Sequence, residues 1–270
     1  MHHLACVSFL NSKPLIDPVL ANPDVRVHFA VPARLLPLME DGSVSAALLP
    51  LVDYQNAATD LVLLPVGMIG CDGPTLTVRL YSRVPPAQIR TLHGDTDSHT
   101  SLILAQVILR ERFGIAAPLV PLAAREGEHP SSGLETMLLI GDKVVNAAPD
   151  AAAYRYQLDL GEEWKGLTGL PFVFAMWMLR KDRAAAEGVA LARILDDARR
   201  RGSAGIEALL DRYAAEKGWP RDLARRYFTE YLRYEVTSAA RQGLRRFMEL
   251  AQRHGLLTCR RAVEFFEYPG

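Results

Sequence analysis

The chain has 270 residues, of which 49% are hydrophobic, and its 31 Lys and Arg residues balance 31 Asp and Glu residues to a formal net charge of zero. This length can bury a substantial core in one large or two modest domains. The balanced charge argues against a basic surface that binds nucleic acid. It also implies that an anionic ligand would be held by local groups rather than by an overall field.

The cysteines and the first residues indicate the cellular compartment of the protein. Cys6, Cys71 and Cys259 are scattered and form no CxxC pair or His/Cys pattern, so we expect no metal site. We also expect no other cofactor. An odd number of scattered cysteines is typical of a reducing compartment. No apolar run approaches the length of a membrane span, and the first residues lack the features of a secretory signal. We therefore expect a cytoplasmic protein without a membrane partner.

Short apolar segments alternate with helical ones over the first part of the chain. The motif at residues 11–14 ends the first strand and opens a helix, with Pro14 near its first turn. A second helix is predicted over 32–39. The predicted strands are residues 4–10, 25–30, 45–49, 61–66 and 75–82. Strands separated by helices indicate a parallel sheet built from βα units.

The same alternation restarts after residues 84–86 and indicates a second α/β unit. A helix is predicted over 101–112, and residues 183–257 are predicted to be helical. The polar segment at residues 125–133 has no periodicity, and we predict a mobile loop there. The predicted strands are residues 89–92, 118–122, 136–140 and 171–179, with a short edge element at 156–160.

Two long predicted strands, 75–82 and 171–179, stand on either side of this second unit. They indicate that one α/β domain is inserted in another and that both strands cross between the domains as a hinge. The first domain would comprise residues 1–80 and 175–270, and the inserted domain residues 81–174. A ligand is expected in the cleft between the two domains.

Hydroxyl side chains cluster at the start of the helix predicted from residue 101. Ser98, Thr100 and Ser101 could join the unpaired N–H groups of the first helical turn, which carry partial positive charge. Such a group binds a carboxylate without any Lys or Arg. Ser and Thr are also favoured as ordinary helix N-caps, and the sequence leaves both interpretations open.

Polar residues also follow the first strand and a later one, where ligands of α/β sheets bind. Asn11 offers both a donor and an acceptor, and Ser12 adds a hydroxyl, although both also fit a turn before Pro14. Asp142 follows a buried strand. It could serve as a general base, cap the next helix or bridge the domains.

Six stretches resemble, in the same order along the chain, the chorismate dehydratases of the futalosine route to menaquinone. They are residues 9–15 (FLNSKPL), 46–50 (AALLP), 97–101 (DSHTS), 138–142 (LLIGD), 158–164 (LDLGEEW) and 168–177 (TGLPFVFAMW). The C-terminal helices match only in general character. The resemblance implies a two-domain α/β fold like that of type II periplasmic binding proteins, with two crossover hinge strands and C-terminal helices.

The resemblance also implies which residues meet the substrate. Asn11 and Thr77 would be catalytic, with Thr77 standing where the family usually has Ser, and Glu135 replaces a usual Asp. The substrate-binding residues would be Ser12, Ser98, Thr100, Ser101, Asp142, Thr168, Pro171, Phe172 and Trp177. Without the resemblance, Thr77 fits a β-branched strand residue, residues 168–172 fit a turn before a strand, and Trp177 is typical of a core.

The implied reaction is the loss of water from chorismate, which gives the aromatic product 3-[(1-carboxyvinyl)oxy]benzoate. One hypothesis is that the enolpyruvyl carboxylate of the substrate removes the ring proton, while Asn11 and the hydroxyls orient it. We expect a monomer or homodimer whose partner is this small molecule.

Three alternatives share the fold. A binding protein for a small aromatic or dicarboxylate ligand needs the cleft but no chemistry. The sibling 1,4-dihydroxy-6-naphthoate synthase is associated with another N-terminal motif, rich in Pro and Asp, so the motif at residues 11–14 favours the dehydratase. A regulatory effector domain would follow a DNA-binding segment, and we expect none before the first strand.

Overall fold

The computed structural model describes residues 1–122, 133–257 and 261–268. The strands are β1 (His2–Cys6), β2 (Val25–Phe29), β3 (Ala46–Pro50), β4 (Leu61–Cys71), β5 (Val78–Ser82), β6 (Leu92–Asp95), β7 (Leu119–Leu122), β8 (Thr136–Ile140), β9 (Tyr156–Asp159), β10 (Phe172–Arg180) and β11 (Leu232–Arg233). The helices are α1 (Lys13–Ile16), α2 (Pro32–Glu40), α3 (Asp53–Asn56), α4 (His99–Phe113), α5 (Lys143–Asn146), α6 (Leu160–Thr168), α7 (Ala184–Ala204), α8 (Ile206–Tyr213), α9 (Arg221–Arg226) and α10 (Ser238–Arg253). This alternation confirms the predicted α/β class.

The first sheet has the strand order β11-β4-β10-β3-β1-β2. β1 pairs in parallel with β2 and β3, whereas β10 runs antiparallel to β3 and β4. Leu4, Ala5 and Cys6 of β1 are fully buried, as expected for a parallel strand that is covered on both faces. The residues that follow β1 therefore emerge between β2 and β3, at the carboxyl edge of the parallel strands.

The second sheet has the strand order β7-β6-β8-β5-β9. β6 pairs in parallel with β7 and β8, and β5 runs antiparallel to β8 and β9. β9 lies at the edge, which confirms the edge element predicted at residues 156–160. α4 follows β6, so its N-terminus stands at the carboxyl end of a parallel strand, where ligands of α/β sheets usually bind.

Two segments connect the sheets, and both differ from the predicted hinge strands. β4 is longer than predicted and continues to Cys71, while β5 begins only at Val78. Leu76 has a φ of 66°, outside the β region, so no strand can run through it. On the return, α6 separates β9 from β10, which begins at Phe172. Each strand therefore belongs to one sheet, and the crossing is made by residues 72–77 and by α6.

The C-terminal region contains a strand inside the segment 221–253, which the sequence predicts to be helical with a break near Thr237. A π-helical turn, Tyr227–Tyr231, leads into β11, which pairs with β4. The prediction was wrong here because β4 leaves open backbone groups at its edge, and a nearby segment pairs with them. The predicted loop at 125–133, apart from Gly133, and Cys259 lie outside the described residues.

The main apolar core surrounds the first sheet and continues under α4 and α6. Trp164, Phe172, Trp177 and Phe247 are among its largest side chains, each at most 1% exposed. A smaller cluster that includes Tyr81 packs separately, against strands of the second sheet. Within the described ranges, no helix combines the length and apolar character needed to cross a membrane.

Candidate functional site

Two neighbouring cavities open between the sheets, with volumes of about 80 Å³ and about 60 Å³. We call them the first and the second lobe of the cleft. The residues that line both lobes are Phe9, Asn11, Ile69, Ser98, Ile140 and Phe174. Because these residues come from strand ends and strands of both sheets, the cleft lies where the two sheets face each other.

Asn11 is held at the carboxyl end of β1 by its main chain. The Ser12 hydroxyl donates to the carbonyl oxygens of Val7 and Phe9, both at 2.9 Å, and so closes a short 3-10 turn. The hydroxyl of Tyr234 donates to the main-chain carbonyl oxygen of Asn11 at 3.0 Å. Ser12 therefore stabilises the turn and does not line either lobe, whereas Asn11 lines both.

The side-chain amide of Asn11 leaves an acceptor unused. Its Oδ1 is buried and has no hydrogen-bond partner among the described residues. A buried acceptor without a partner costs about 1–3 kcal/mol. A ligand that donates a hydrogen bond to Asn11 would offset this cost, so the geometry favours a ligand over a purely structural role.

The N-terminus of α4 brings two of the three predicted hydroxyls to the cleft. The Ser98 side-chain oxygen accepts from the N–H of Ser101 at 3.2 Å, and its hydroxyl donates to Ser101 Oγ at 2.7 Å. Ser98 lines both lobes and Ser101 lines the second. Thr100 faces elsewhere, because its hydroxyl oxygen accepts from the N–H of Val52 at 3.3 Å. Ser98 is thus an N-cap and a cleft residue at once.

Thr77 lines the second lobe and is paired with a residue that the sequence did not reveal. Its hydroxyl lies 2.7 Å from the Tyr227 hydroxyl. Burial raises the pKa of Tyr227, while hydrogen bonds from Thr77 and Asn11 act in the opposite direction. Tyr227 is therefore a neutral hydroxyl that connects the two predicted catalytic residues.

Asp142 links the second sheet to the C-terminal region. Its Oδ1 accepts from the indole N–H of Trp219 at 2.9 Å. Trp219 in turn stacks on Tyr227, with ring centroids 4.8 Å apart. Asp142 is 7% exposed and lines neither lobe. Of the roles left open by the sequence, this geometry fits the bridge.

No Lys or Arg side chain lines either lobe within the described part of the chain. Asp97 lines the first lobe and pairs with Lys143 at 2.9 Å, and Lys143 also reaches Asp95 at 2.6 Å. Burial raises the pKa of Asp95, and Lys143 opposes that shift. Because these two carboxylates engage Lys143, an anionic ligand meets hydroxyl and backbone donors.

Thr168 and Pro171 lie outside the cleft. The Thr168 hydroxyl donates to the carbonyl oxygen of Trp164 at 2.9 Å, and its oxygen accepts from the N–H of Leu170 at 3.1 Å. These bonds close the end of α6. Pro171 lines a separate groove of about 550 Å³. The structure therefore does not bring either residue to the other predicted contacts.

Phe172 and Trp177 belong to the core. The Phe172 ring meets those of Trp164 and Phe247, with centroids 5.3 and 5.0 Å apart. Trp177 is fully buried within the first sheet. Both side chains lie away from the cleft because they fill the space between β10 and the helices and strands packed on it.

Phe174 is the aromatic residue of this motif that reaches the cleft. It lines both lobes, and an irregularity in the pairing of β10 with β4 occurs between Val173 and Ala175. A bulge of this kind redirects side chains relative to simple alternation. Sequence reasoning also missed Phe9, which lay in the predicted strand at residues 4–10, and Ile69, which lies beyond the strand predicted at residues 61–66.

The described cysteines lie apart from any cluster of metal-binding side chains. Within the described ranges, no group of three or more His, Cys, Asp or Glu side chains could hold a metal ion. Cys6 and Cys71 are buried free thiols. Burial raises the pKa of Cys6 to about 12, so its thiol stays protonated.

Known proteins resemble this chain in sequence and in fold. Residues 2–253 match the model of a family described as menaquinone biosynthesis. A Thermus thermophilus protein named chorismate dehydratase is 29% identical over 244 residues, which cover 83% of this chain and 86% of that protein.

Two solved structures support the fold at low sequence identity. A protein from Archaeoglobus fulgidus matches with a TM-score of 0.70 and 14% identity, over 95% of this chain and 98% of that one. A Candida albicans gene product, described as having the generic periplasmic binding protein structural fold, matches with a TM-score of 0.64 and 10% identity, over 100% and 98% of the two chains. They confirm the predicted periplasmic-binding-protein-like fold.

Proposed function

The chain belongs to the menaquinone-biosynthesis family, and from this premise we propose that it is a chorismate dehydratase. This hydro-lyase would convert chorismate to 3-[(1-carboxyvinyl)oxy]benzoate and water. The Thermus thermophilus relative supports the choice of substrate. We expect this small-molecule step to take place in the cytoplasm and to need no cofactor.

The observation that carries the proposal is the unpaired Asn11 amide oxygen in a cleft shared with the N-terminus of α4. Chorismate carries two carboxylates, and the hydroxyls of Ser98 and Ser101 together with first-turn N–H groups can bind one of them without a cation. The apolar side chains around Asn11 suit the ring. The cleft thus supplies fixed donors and a dry surface for one small dianion.

The reaction removes a proton and a hydroxyl group from neighbouring ring carbons. The proton leaves the carbon that bears the enolpyruvyl ether. The electron pair of the broken C–H bond is delocalised as a vinylogous enolate of the ring carboxylate. Expulsion of the adjacent hydroxyl then makes the ring aromatic, and the proton and hydroxide combine as water. Aromatisation drives the reaction, so the protein mainly has to orient the substrate and stabilise developing charge.

The groups that line the cleft favour the substrate's own enolpyruvyl carboxylate as the proton acceptor. Asp97, the carboxylate of the described lining, is paired with Lys143. The raised pKa of Tyr227 keeps its hydroxyl neutral, so it cannot serve as the base near pH 7. In this proposal the amide NH2 group of Asn11 donates to the enolpyruvyl carboxylate and orients it, while Asn11 Oδ1 accepts from the ring hydroxyl of chorismate. Thr77, held by Tyr227, contacts the same hydroxyl as it leaves.

Incubation of the purified protein with chorismate, followed by chromatography and mass detection, tests the proposal. We expect a product lighter than chorismate by one water, and we expect Asn11→Ala and Ser98→Ala to slow its formation. Ser43→Ala, which changes a hydroxyl residue in a surface turn, is the control. Thermal stabilisation by chorismate without any product would instead identify a binding protein.

A further inference from the structure

Asp159 lies between the two sheets and forms hydrogen bonds with both crossing segments. It is the N-cap of α6, and its Oδ1 accepts from the N–H groups of Gly161 at 3.0 Å and Glu162 at 3.2 Å. The same oxygen accepts from the N–H of Thr75 at 2.9 Å, and Oδ2 accepts from the N–H of Leu76 at 2.7 Å. One carboxylate therefore binds four backbone donors, two on each segment.

The segment held by Asp159 is a tight turn in an unfavourable conformation. Leu76 has a φ of 66°, in the left-handed region that side chains other than glycine rarely adopt. The N–H of Thr77 donates to the carbonyl oxygen of Thr75 at 2.8 Å across this residue. Such a three-residue turn is strained and persists only when its surroundings hold it. The hydrogen bonds that the N–H groups of Thr75 and Leu76 donate to Asp159 are contacts that can hold it.

Thr77 is the last residue of this turn, so its position depends on the turn. Its hydroxyl lies 2.7 Å from that of Tyr227, and its carbonyl oxygen accepts from the N–H of Gly141 at 2.8 Å. If Leu76 relaxed to an ordinary φ, the chain direction at Thr77 would change and its hydroxyl would leave the second lobe.

The two crossing segments are also packed without spare room. A Cβ added at Gly161 would lie 2.5 Å from the carbonyl oxygen of Gly73 and 2.7 Å from the Sγ of Cys71. The start of α6 therefore sits directly on the backbone of the other segment. Asp159 can span both segments because of this close approach.

We propose that Asp159 is a positioning residue that holds Leu76 in the left-handed turn and thereby places Thr77 in the cleft. Asp159 is 5% exposed and lines neither lobe, so it acts through Thr77 rather than on the substrate. The proposal rests on the proposed function for its kinetic readout. A positioning role for Asp159 would explain the motif at residues 158–164, none of which lines the cleft.

The variant Asp159→Asn separates the two functions of the carboxylate. The amide oxygen can keep the bonds made by Oδ1, including the cap of α6, while the amide NH2 group faces the N–H of Leu76 and cannot accept from it. We expect kcat to fall at least tenfold with little change in KM. Arg79→Gln, which removes the longer 3.7 Å ion pair with Asp159, is the matched control and should keep kcat.

Rescue distinguishes positioning from general destabilisation. Glycine adopts the left-handed conformation without strain, so Leu76→Gly combined with Asp159→Asn should recover most of the lost kcat, measured against Leu76→Gly alone. In a Thr77→Val background, Asp159→Asn should cause little further loss. An unchanged kcat in Asp159→Asn, or losses that are additive with Thr77→Val and not rescued by Leu76→Gly, would overturn the proposal.

A second readout does not depend on chorismate. Amide hydrogen exchange in the peptide covering residues 73–81, measured without substrate, should be faster in Asp159→Asn and return towards the wild-type rate in the double variant with Leu76→Gly. If the wild-type protein does not consume chorismate, the proposed function fails while exchange still tests Asp159. If exchange in Asp159→Asn equals that of the wild type, Asp159 does not hold the turn.

Discussion

The two walls of the cleft present different chemistry to a ligand. The wall from the first sheet is largely apolar, with Phe9, Ile69 and Phe174, and its polar groups among the described residues are the amide of Asn11 and the neutral hydroxyl of Tyr227. Hydroxyl side chains line the wall from the second sheet and the crossing segment: Thr75, Thr77, Ser98 and Ser101. An apolar wall keeps water out and strengthens each electrostatic interaction across the cleft.

This difference suggests a division of roles between the walls. The hydroxyls and the N-terminus of α4 offer fixed donors that suit a carboxylate already present in the ground state. The single amide on the apolar wall is placed to control orientation during the reaction. We therefore expect changes at Asn11 to act mainly on kcat and changes at the α4 hydroxyls to act mainly on KM.

Asn11→Ala tests this division with the largest expected effect. We expect kcat to fall about 10²- to 10³-fold, the range seen when one preorganised polar group is removed from an active site. Asn11→Ala loses the hydrogen bond to Tyr227 but also removes the buried, unpaired Oδ1. Because these two effects oppose each other, the melting temperature should change little. Steady-state kinetics with chorismate and parallel thermal melts measure both quantities. A normal kcat would exclude Asn11 from the mechanism.

Phe172 and Phe174 form a matched pair for comparison. Phe174 lies on the apolar wall of the cleft, and Phe172 lies behind that wall in the core. We expect Phe172→Leu to lower the free energy of unfolding by about 1–3 kcal/mol, since its ring packs against Trp164 and Phe247. Phe174→Leu should instead lower kcat/KM several-fold, because its ring lines both lobes. Urea unfolding and kinetics of both variants make the comparison. The reverse pattern would show that Phe172 faces the ligand.

The same pair shows how far the sequence could predict the site. Asn11 and Ser98 were predictable because a strand end and a helix start are local signals. The motif at residues 168–177 identified the family but not which ring faces the cleft. That direction depends on a bulge in the pairing of β10 with β4, and strand alternation alone cannot predict a bulge.

Contacts between distant parts of the chain were beyond sequence reasoning. Thr77 and Tyr227 are separated by 150 residues, and the π-helical turn that starts at Tyr227 has no local signature in the sequence. The prediction of a strand through Leu76 was wrong for a similar reason. Leu76 has a left-handed conformation, and its N–H donates to Asp159 from a distant segment of the chain. The fold class, in contrast, follows from alternating apolar segments.

Ser101→Ala tests the hydroxyl wall with a smaller effect. Loss of one hydrogen-bonding group of this kind costs about 1 kcal/mol, so we expect KM for chorismate to rise about fivefold with kcat nearly unchanged. Thr100→Val is the control on the same helical turn, since Thr100 faces Val52 rather than the cleft. It should affect stability more than KM. Equal KM values for wild type and Ser101→Ala would remove this hydroxyl from carboxylate binding.

The smallest expected effect concerns His99, which lies next to the hydroxyl wall. We expect the stability of the protein to depend on pH through this residue. Its Nδ1 lies 2.7 Å from the Asp53 carboxylate, and this hydrogen bond, with weaker attraction from Asp53 and Asp97, raises the pKa of His99 against the opposing effect of burial. A group whose pKa is raised on folding stabilises the protein fully below its unfolded pKa of about 6.5, and the contribution is lost as pH rises through the folded pKa.

The melting temperature of His99→Asn should therefore fall below that of the wild type at about pH 5.5 and approach it at about pH 8.5. Asp53→Asn is the companion variant, and it should flatten the same pH dependence because it removes the partner that holds the proton on His99. Thermal unfolding of the three proteins across this range measures the effect. A difference between wild type and His99→Asn that is constant with pH would mean that the two side chains pack together without sharing a proton-linked contact. The start of α4 would then be held in place by Ser98 and by Thr100 rather than by charge.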